Sequence, residues 1–122
     1  MYEKKIIPKY ESGVDFTKDV LYGKWKPCLM YLLYQGSRRP SELQRLLPEA
    51  SRRILNIQLN ELEEYGLVSR EIFQQMPPKV VYSITELGRT LLPVLKAMDE
   101  WGAAYKATLE EIKFNNRQSV DV

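Results

Sequence analysis

A mainly helical α+β fold is predicted by three observations. Between residues 15 and 66, apolar side chains recur at helical spacing in short segments broken at Gly23, Gly36 and Pro48. Over 67–84 the pattern changes to β-branched and aromatic runs around a turn-forming insert. From Thr85 onward an apolar seam returns at steps of four and three. Helix, helix, helix, strand, turn, strand, long helix is the order of a winged helix-turn-helix, with a two-stranded wing hairpin and a long C-terminal dimerisation helix. The 122 residues are the length of one domain. Its expected parts are an arm over 1–14, N-terminal helices over 15–34, the helix-turn-helix over 37–66, the wing over 67–84, dimerisation helices over 85–114 and a polar, frayed tail over 115–122.

Asp15 to Leu21 is a short helix with Phe16, Val20 and Leu21 apolar, stopped by Gly23. Trp25 to Tyr34 carries Pro27 in its first turn, where a missing N–H costs nothing, and Leu29, Met30, Leu32 and Leu33 mark it as buried. Ser41 to Leu47 is followed after Pro48-Glu49-Ala50 by a helix that Ser51 caps and Gly66 ends. In that helix Leu55, Leu59 and Leu62 form one stripe facing a core. Two helices joined so closely are a helix-turn-helix. Gln74 to Lys79 is the insert that makes the following hairpin a wing, and Arg70 in its first strand is expected to pair with Glu71 or Glu86. Thr85 caps the last stretch, which Pro93 kinks or restarts.

Composition excludes several classes of function. The chain has no histidine and one cysteine, Cys28, so an internal disulfide, an ordinary zinc cluster and any Ser-His or Cys-His pair are unavailable. No cofactor or metal is expected, and the Glu61, Glu63 and Glu64 group reads as solvated. No apolar run reaches the ~18–20 residues that span a bilayer, and the N-terminus lacks an apolar signal core, so a cytoplasmic protein is expected. Net charge is only +2, but it is unevenly spread: +2 over residues 1–35, +3 over 36–60 and −3 over 61–122. The helix-turn-helix is a basic patch, as a protein that approaches a polyanion needs.

Opposite the Leu55 stripe lie Arg53, Asn56, Ile57 and Asn60, with Arg52 on the flank. These are groups that read base edges: Arg donates twice to guanine, Asn exchanges two hydrogen bonds with adenine, and Ile packs on a thymine methyl. Ser51 and the adjoining helix N-terminus suit a phosphate. Arg38, Arg39 and Ser41, with Arg45 further along the first helix of the motif, are candidate phosphate contacts, and Gln75 and Lys79, with Gln74, reach flanking DNA from the wing. A solvated polar face is the plain alternative to each.

The motifs also carry a resemblance. Gly23-Lys24-Trp25, SELQRLLP at 41–48, SRRILNIQLNELEEYGLVSR at 51–70, PPKVVYSITELG at 77–88 and LLPVLKAMDEWG at 91–102 occur in an order that resembles the HxlR-type transcriptional regulators, relatives of the MarR group. The resemblance covers about Asp15 to Tyr105. It implies a homodimer that binds double-stranded DNA at a pseudo-palindromic operator, as repressor or activator with repression the expected mode. A small-molecule effector is an open partner, and no membrane is implied. Redox-responsive members of the family carry a cysteine about a dozen residues before the Gly-Lys-Trp triplet; here that stretch is Tyr10-Glu11-Ser12-Gly13. Cys28 falls where the family has an apolar residue and is expected to be buried and inert.

The dimer reading also stands on spacing. Leu91, Leu95, Met98, Gly102, Tyr105, Leu109 and Ile112 sustain a heptad-like seam longer than a small domain needs for itself. Trp101 flanks it, and Phe16, Val20 and Leu21 are expected to join the interface. The alternative is that this seam packs on the chain's own first helix. At the level of function, the alternative is a winged-helix protein-interaction module without DNA binding, which would have no use for Arg52, Arg53, Asn56 and Asn60 together. An enzyme is the remote third reading.

Overall fold

The computed structural model describes residues 12–120. Residues 1–11 of the expected arm lie outside the described residues. The chain forms two units, Met1–Thr90 and Leu91–Val122. The first holds α1 (Gly13–Val20), α2 (Lys26–Tyr34), α3 (Pro40–Leu46), α4 (Arg52–Glu64), β1 (Val68–Phe73), β2 (Lys79–Ile84) and α5 (Glu86–Arg89); the second is α6 (Leu92–Val120).

Four helices of the first unit begin where a side chain meets a free N–H group, and α2 instead carries Pro27 in its first turn. Ser12 Oγ accepts from Asp15 N at 3.2 Å, which starts α1 two residues before the expected Asp15. In α3 the Glu42 carboxylate reaches back to the Arg39 N–H at 2.8 Å, and Ser51 Oγ accepts from Ile54 N at 3.1 Å to open α4. Gly66, at φ +77°, turns the chain out of α4 in a conformation that any side chain would strain, and the Leu67 N–H donates back to the Leu62 carbonyl. Leu29, Met30, Leu33, Leu43, Leu55, Leu59 and Leu62 fill the core between α2, α3 and α4.

The hairpin closes this core with one face. Val68 pairs with Ile84 and Phe73 with Lys79 in an antiparallel register, so Val68 and Tyr82 turn inward and are buried. Arg38 adds a bridge to the free edge of β2, exchanging both backbone hydrogen bonds with Tyr82. The turn is therefore Gln74 to Pro78, and Lys79 is the first residue of β2 rather than part of the tip. Arg70 does not pair with Glu71 or Glu86; it lies across from Tyr82, near enough for its charge to favour the ionised phenol. Thr85 Oγ1 donates to the Gly66 carbonyl at 2.6 Å and accepts from Gly88 N at 2.9 Å, fastening α5 to the end of α4.

Tyr34 donates its phenolic proton to the Gly88 carbonyl. Burial pushes the Tyr34 and Tyr82 phenols above their ordinary value of 10.0, opposed by Arg89 beside Tyr34 and Arg70 beside Tyr82. A native pKa raised above the unfolded one means stability is complete below pH 10 and is lost as pH rises through the raised native values. Urea midpoints followed by circular dichroism should therefore fall from pH 9.5 to 11 by ordinary linkage, and less so in Tyr34→Phe/Tyr82→Phe. Equal pH slopes in the two proteins would contradict this account.

In the second unit the helix restarts rather than bends. α5 ends at Arg89, and α6 begins at Leu92 with Pro93 in its first turn, where proline is tolerated. The tail from Asn115, expected to fray, is helical to Val120. After Gly102 no glycine or proline interrupts the chain.

Candidate nucleic-acid interface

The leucine stripe of α4 fixes what faces outward. With Leu55, Leu59 and Leu62 in the core, Arg52, Arg53, Ile57 and Asn60 are exposed and Asn56 is half-buried. Arg52 and Arg53 make no ion pair among the described residues, so their guanidinium groups are available to an external acceptor. Ile57 keeps 44% of its surface in water, and Ile54, one turn earlier on the adjoining flank, keeps 40%. Ile54 was not legible as a surface residue, since its period places it near the stripe. Ser51 and Ser41 are exposed at the starts of α4 and α3.

The wing and the approach to α3 form a second patch. Ser37, Arg38, Arg39, Glu42, Glu71, Phe73, Lys79, Val81 and Ser83 line a cleft of about 380 Å³. Lys79 Nζ lies 5.3 Å from the centroid of the Phe73 ring, a cation–π distance that holds the ammonium over the outer face of the hairpin. Arg39 is exposed, whereas the Arg38 guanidinium turns back to the C-terminal end of α2, donating to the Leu32 carbonyl and Gln35 Oε1 at 3.3 Å each. Gln75 and Met76 project from the tip, Met76 almost fully exposed. Arg45 is exposed on α3.

Two expectations are corrected. Cys28 is exposed, because it lies on the flank of α2 that Leu29, Met30 and Leu33 do not share. Glu61 is not part of a solvated acidic group: it is half-buried and pairs with Lys26 Nζ at 3.4 Å. Lys26, 1% exposed, is the buried charge among the described residues. Its signal was its place directly after Gly-Lys-Trp and before Pro27, at the joint between two helices.

Of the residues expected at a dimer interface, Met98, Trp101, Tyr105 and Ile112 are exposed, as is Phe16. Leu91, Gly102, Leu109 and Val20 are half-buried, and Leu21 and Leu95 are buried. The Trp101 and Tyr105 rings stack with centroids 5.0 Å apart. Among the described residues no group of His, Cys, Asp or Glu is arranged to hold a metal ion, and no helix is long and apolar enough to cross a membrane.

A helix-turn-helix whose second helix presents unpaired arginines, asparagines and an isoleucine, flanked by a basic wing, defines a DNA-binding transcriptional regulator of the MarR-like winged type. The profile of the HxlR-like helix-turn-helix family matches residues 20–110, and the chain belongs to that family. It is 46% identical over 117 residues, 94% of each chain, to the uncharacterized HTH-type transcriptional regulator YybR of Bacillus subtilis. It is similar to the structure of the redox regulator HypR in its reduced form, at a TM-score of 0.78 and 48% identity over 82% of this chain and 99% of that one. A MarR-family transcriptional regulator from Enterococcus faecalis superimposes with a TM-score of 0.71 at 33% identity, covering 87% of this chain and 96% of that one.

Proposed function

We propose that the chain acts as a homodimeric repressor that inserts α4 from each protomer into successive major grooves of a pseudo-palindromic operator. The outward face of α4 carries the reading: Arg53, Ile57 and Asn60 are exposed while Leu55, Leu59 and Leu62, on the opposite side of the same helix, are buried. Arg52, Arg53, Asn56, Ile57 and Asn60 read bases, and Ser41, Ser51 and Arg39 hold phosphates. Gln75 and Lys79 touch the flanking backbone from the wing. Arg38, already engaged with Leu32 and Gln35, serves chiefly to shape the approach to α3.

The second copy is called for by α6, which exposes Met98, Trp101, Tyr105 and Ile112 to water in a single chain. A two-fold dimer would bury them and set two reading helices about one turn of DNA, ~34 Å, apart. HypR is described as a redox regulator. The single cysteine of these 122 residues leaves no second thiol for an internal disulfide.

Arg53→Ala should weaken binding to an operator selected from genomic DNA by about 1–3 kcal/mol and relax preference at one base pair. Lys79→Ala should instead weaken all sequences alike and reduce the salt slope by about one unit. Fluorescence anisotropy over a salt series separates the two. Parent-like binding by both variants would overturn the assignment of the reading face.

A further inference from the structure

The elbow between α1 and α2 grips the reading helix at two points one turn apart. Lys26 enters the core and meets the Glu61 carboxylate of α4 at 3.4 Å, with the Tyr65 ring centroid 5.9 Å from its ammonium. The Trp25 N–H donates to Gln58 Oε1, also on α4, at 2.9 Å. Gly23 lets the elbow backbone come this close, since a Cβ there would stand 3.1 Å from the Gln58 side chain. On the other flank of α4, Asn60 Oδ1 lies 3.5 Å from the Tyr82 hydroxyl.

An ion pair with a buried lysine is a poor way to gain stability, because desolvation of the Lys26 ammonium and partial desolvation of Glu61 offset their attraction, and an apolar pair of similar volume serves as well. Directional polar contacts do what leucines cannot. The Leu55, Leu59 and Leu62 stripe tolerates rotation of α4 about its axis by repacking, whereas a hydrogen bond and an ion pair three residues apart on one flank allow one rotation. That rotation decides where Arg53, Asn56 and Asn60 point, and readout of a base edge requires placement within about 0.5 Å.

We propose that Lys26, Gln58 and Glu61 are positioning residues that set the rotation of α4 and through it sequence preference, without touching DNA. The inference rests on α4 being the reading helix. Its test uses Lys26→Met/Glu61→Leu, which replaces the pair with apolar groups, and Gln58→Leu, which removes the Trp25 partner and keeps the fold in play if the double variant unfolds. The parent is first used to select its preferred sequence from a random duplex pool, and each protein is then titrated with that duplex and with a shuffled one. Backbone amide shifts are recorded without DNA.

For the variants, the melting temperature should stay near or above that of the parent. Binding to the shuffled duplex should stay within about twofold, while preference for the selected duplex falls about tenfold. The amide signals of residues 53–60 should move while those of β1 and β2 hold still. A merely structural role would lower the melting temperature and leave preference intact in the folded fraction. Variants with the parent's preference and the parent's α4 shifts would overturn the proposal. A parent that prefers no sequence would overturn the reading of α4 instead, and the amide shifts would still decide whether these side chains set its rotation.

Discussion

Met98→Asp combined with Tyr105→Asp is expected to yield a folded monomer that has lost operator binding. Both side chains are exposed, at 46% and 43%, and both sit on the seam of α6 one heptad apart, so neither substitution removes core packing from the protomer. In a two-fold dimer each change occurs twice and places four carboxylates in a surface that had been apolar, where an unpaired charge is costly to desolvate. Sedimentation at micromolar concentration should move from twice the chain mass of 14.3 kDa to that mass. Affinity for the full operator should fall by on the order of 100-fold or more, because the second half-site is no longer delivered with the first. Binding to an isolated half-site should change little. A double variant that sediments as the parent does, or a parent that is itself monomeric, would remove the dimer from the proposal. Leu95 is unsuited to this test, since it is buried within the single chain and its loss would confound association with folding.

The parts of this molecule that were legible from sequence are those where one local signal dominates. Ser51, the Leu55, Leu59 and Leu62 stripe and Gly66 define α4 almost to the residue, because cap, periodicity and left-handed stop agree. Pro93 marks the break before α6 for the same reason. The tail was misread because polar composition suggests fraying, yet nothing after Gly102 breaks a helix. Cys28 departs from the expectation that the family's apolar residue at this position implies, because its flank of α2 at the first turn is open.

The largest gap concerns Lys26 and Glu61. The glutamate near a helix end reads as solvated, the lysine beside a proline carries no signal of burial, and no local pattern shows that they meet. Their pairing is a property of how the elbow crosses α4, and the same holds for Trp25 and Gln58, which are separated by 33 positions. Lys79 shows the smaller version of this failure. Turn composition extends to it, but pairing with Phe73 and the contact with that ring draw it into β2. Which face of α4 points outward was recoverable, since it is the complement of a stripe that periodicity defines; what holds that face in place was not.

Gly88→Ala should be strongly destabilising. A Cβ at this position would stand 2.1 Å from the Leu67 carbonyl oxygen and 3.3 Å from Ile84 Cγ2, and the nearer obstacle is backbone that cannot swing aside. The added methyl must push α5 away from the start of β1. That motion strains the contacts made by Gly88 itself, which receives the Tyr34 hydroxyl on its carbonyl and donates its N–H to Thr85 Oγ1. Thr85 in turn holds the Gly66 carbonyl at the end of α4, so displacement of α5 reaches that helix. Overpacking of this kind costs about 3 kcal/mol, at the upper end of its usual range. For a domain of this size that corresponds to a fall of roughly 10 °C in melting temperature. Gly13→Ala is the control: nothing lies within 4 Å of its Cβ position, and it should shift stability by less than about 1 kcal/mol. Equal melting temperatures for the two variants would show that α5 is free to move off β1, and that the Thr85 fastening does not tie the hairpin to α4.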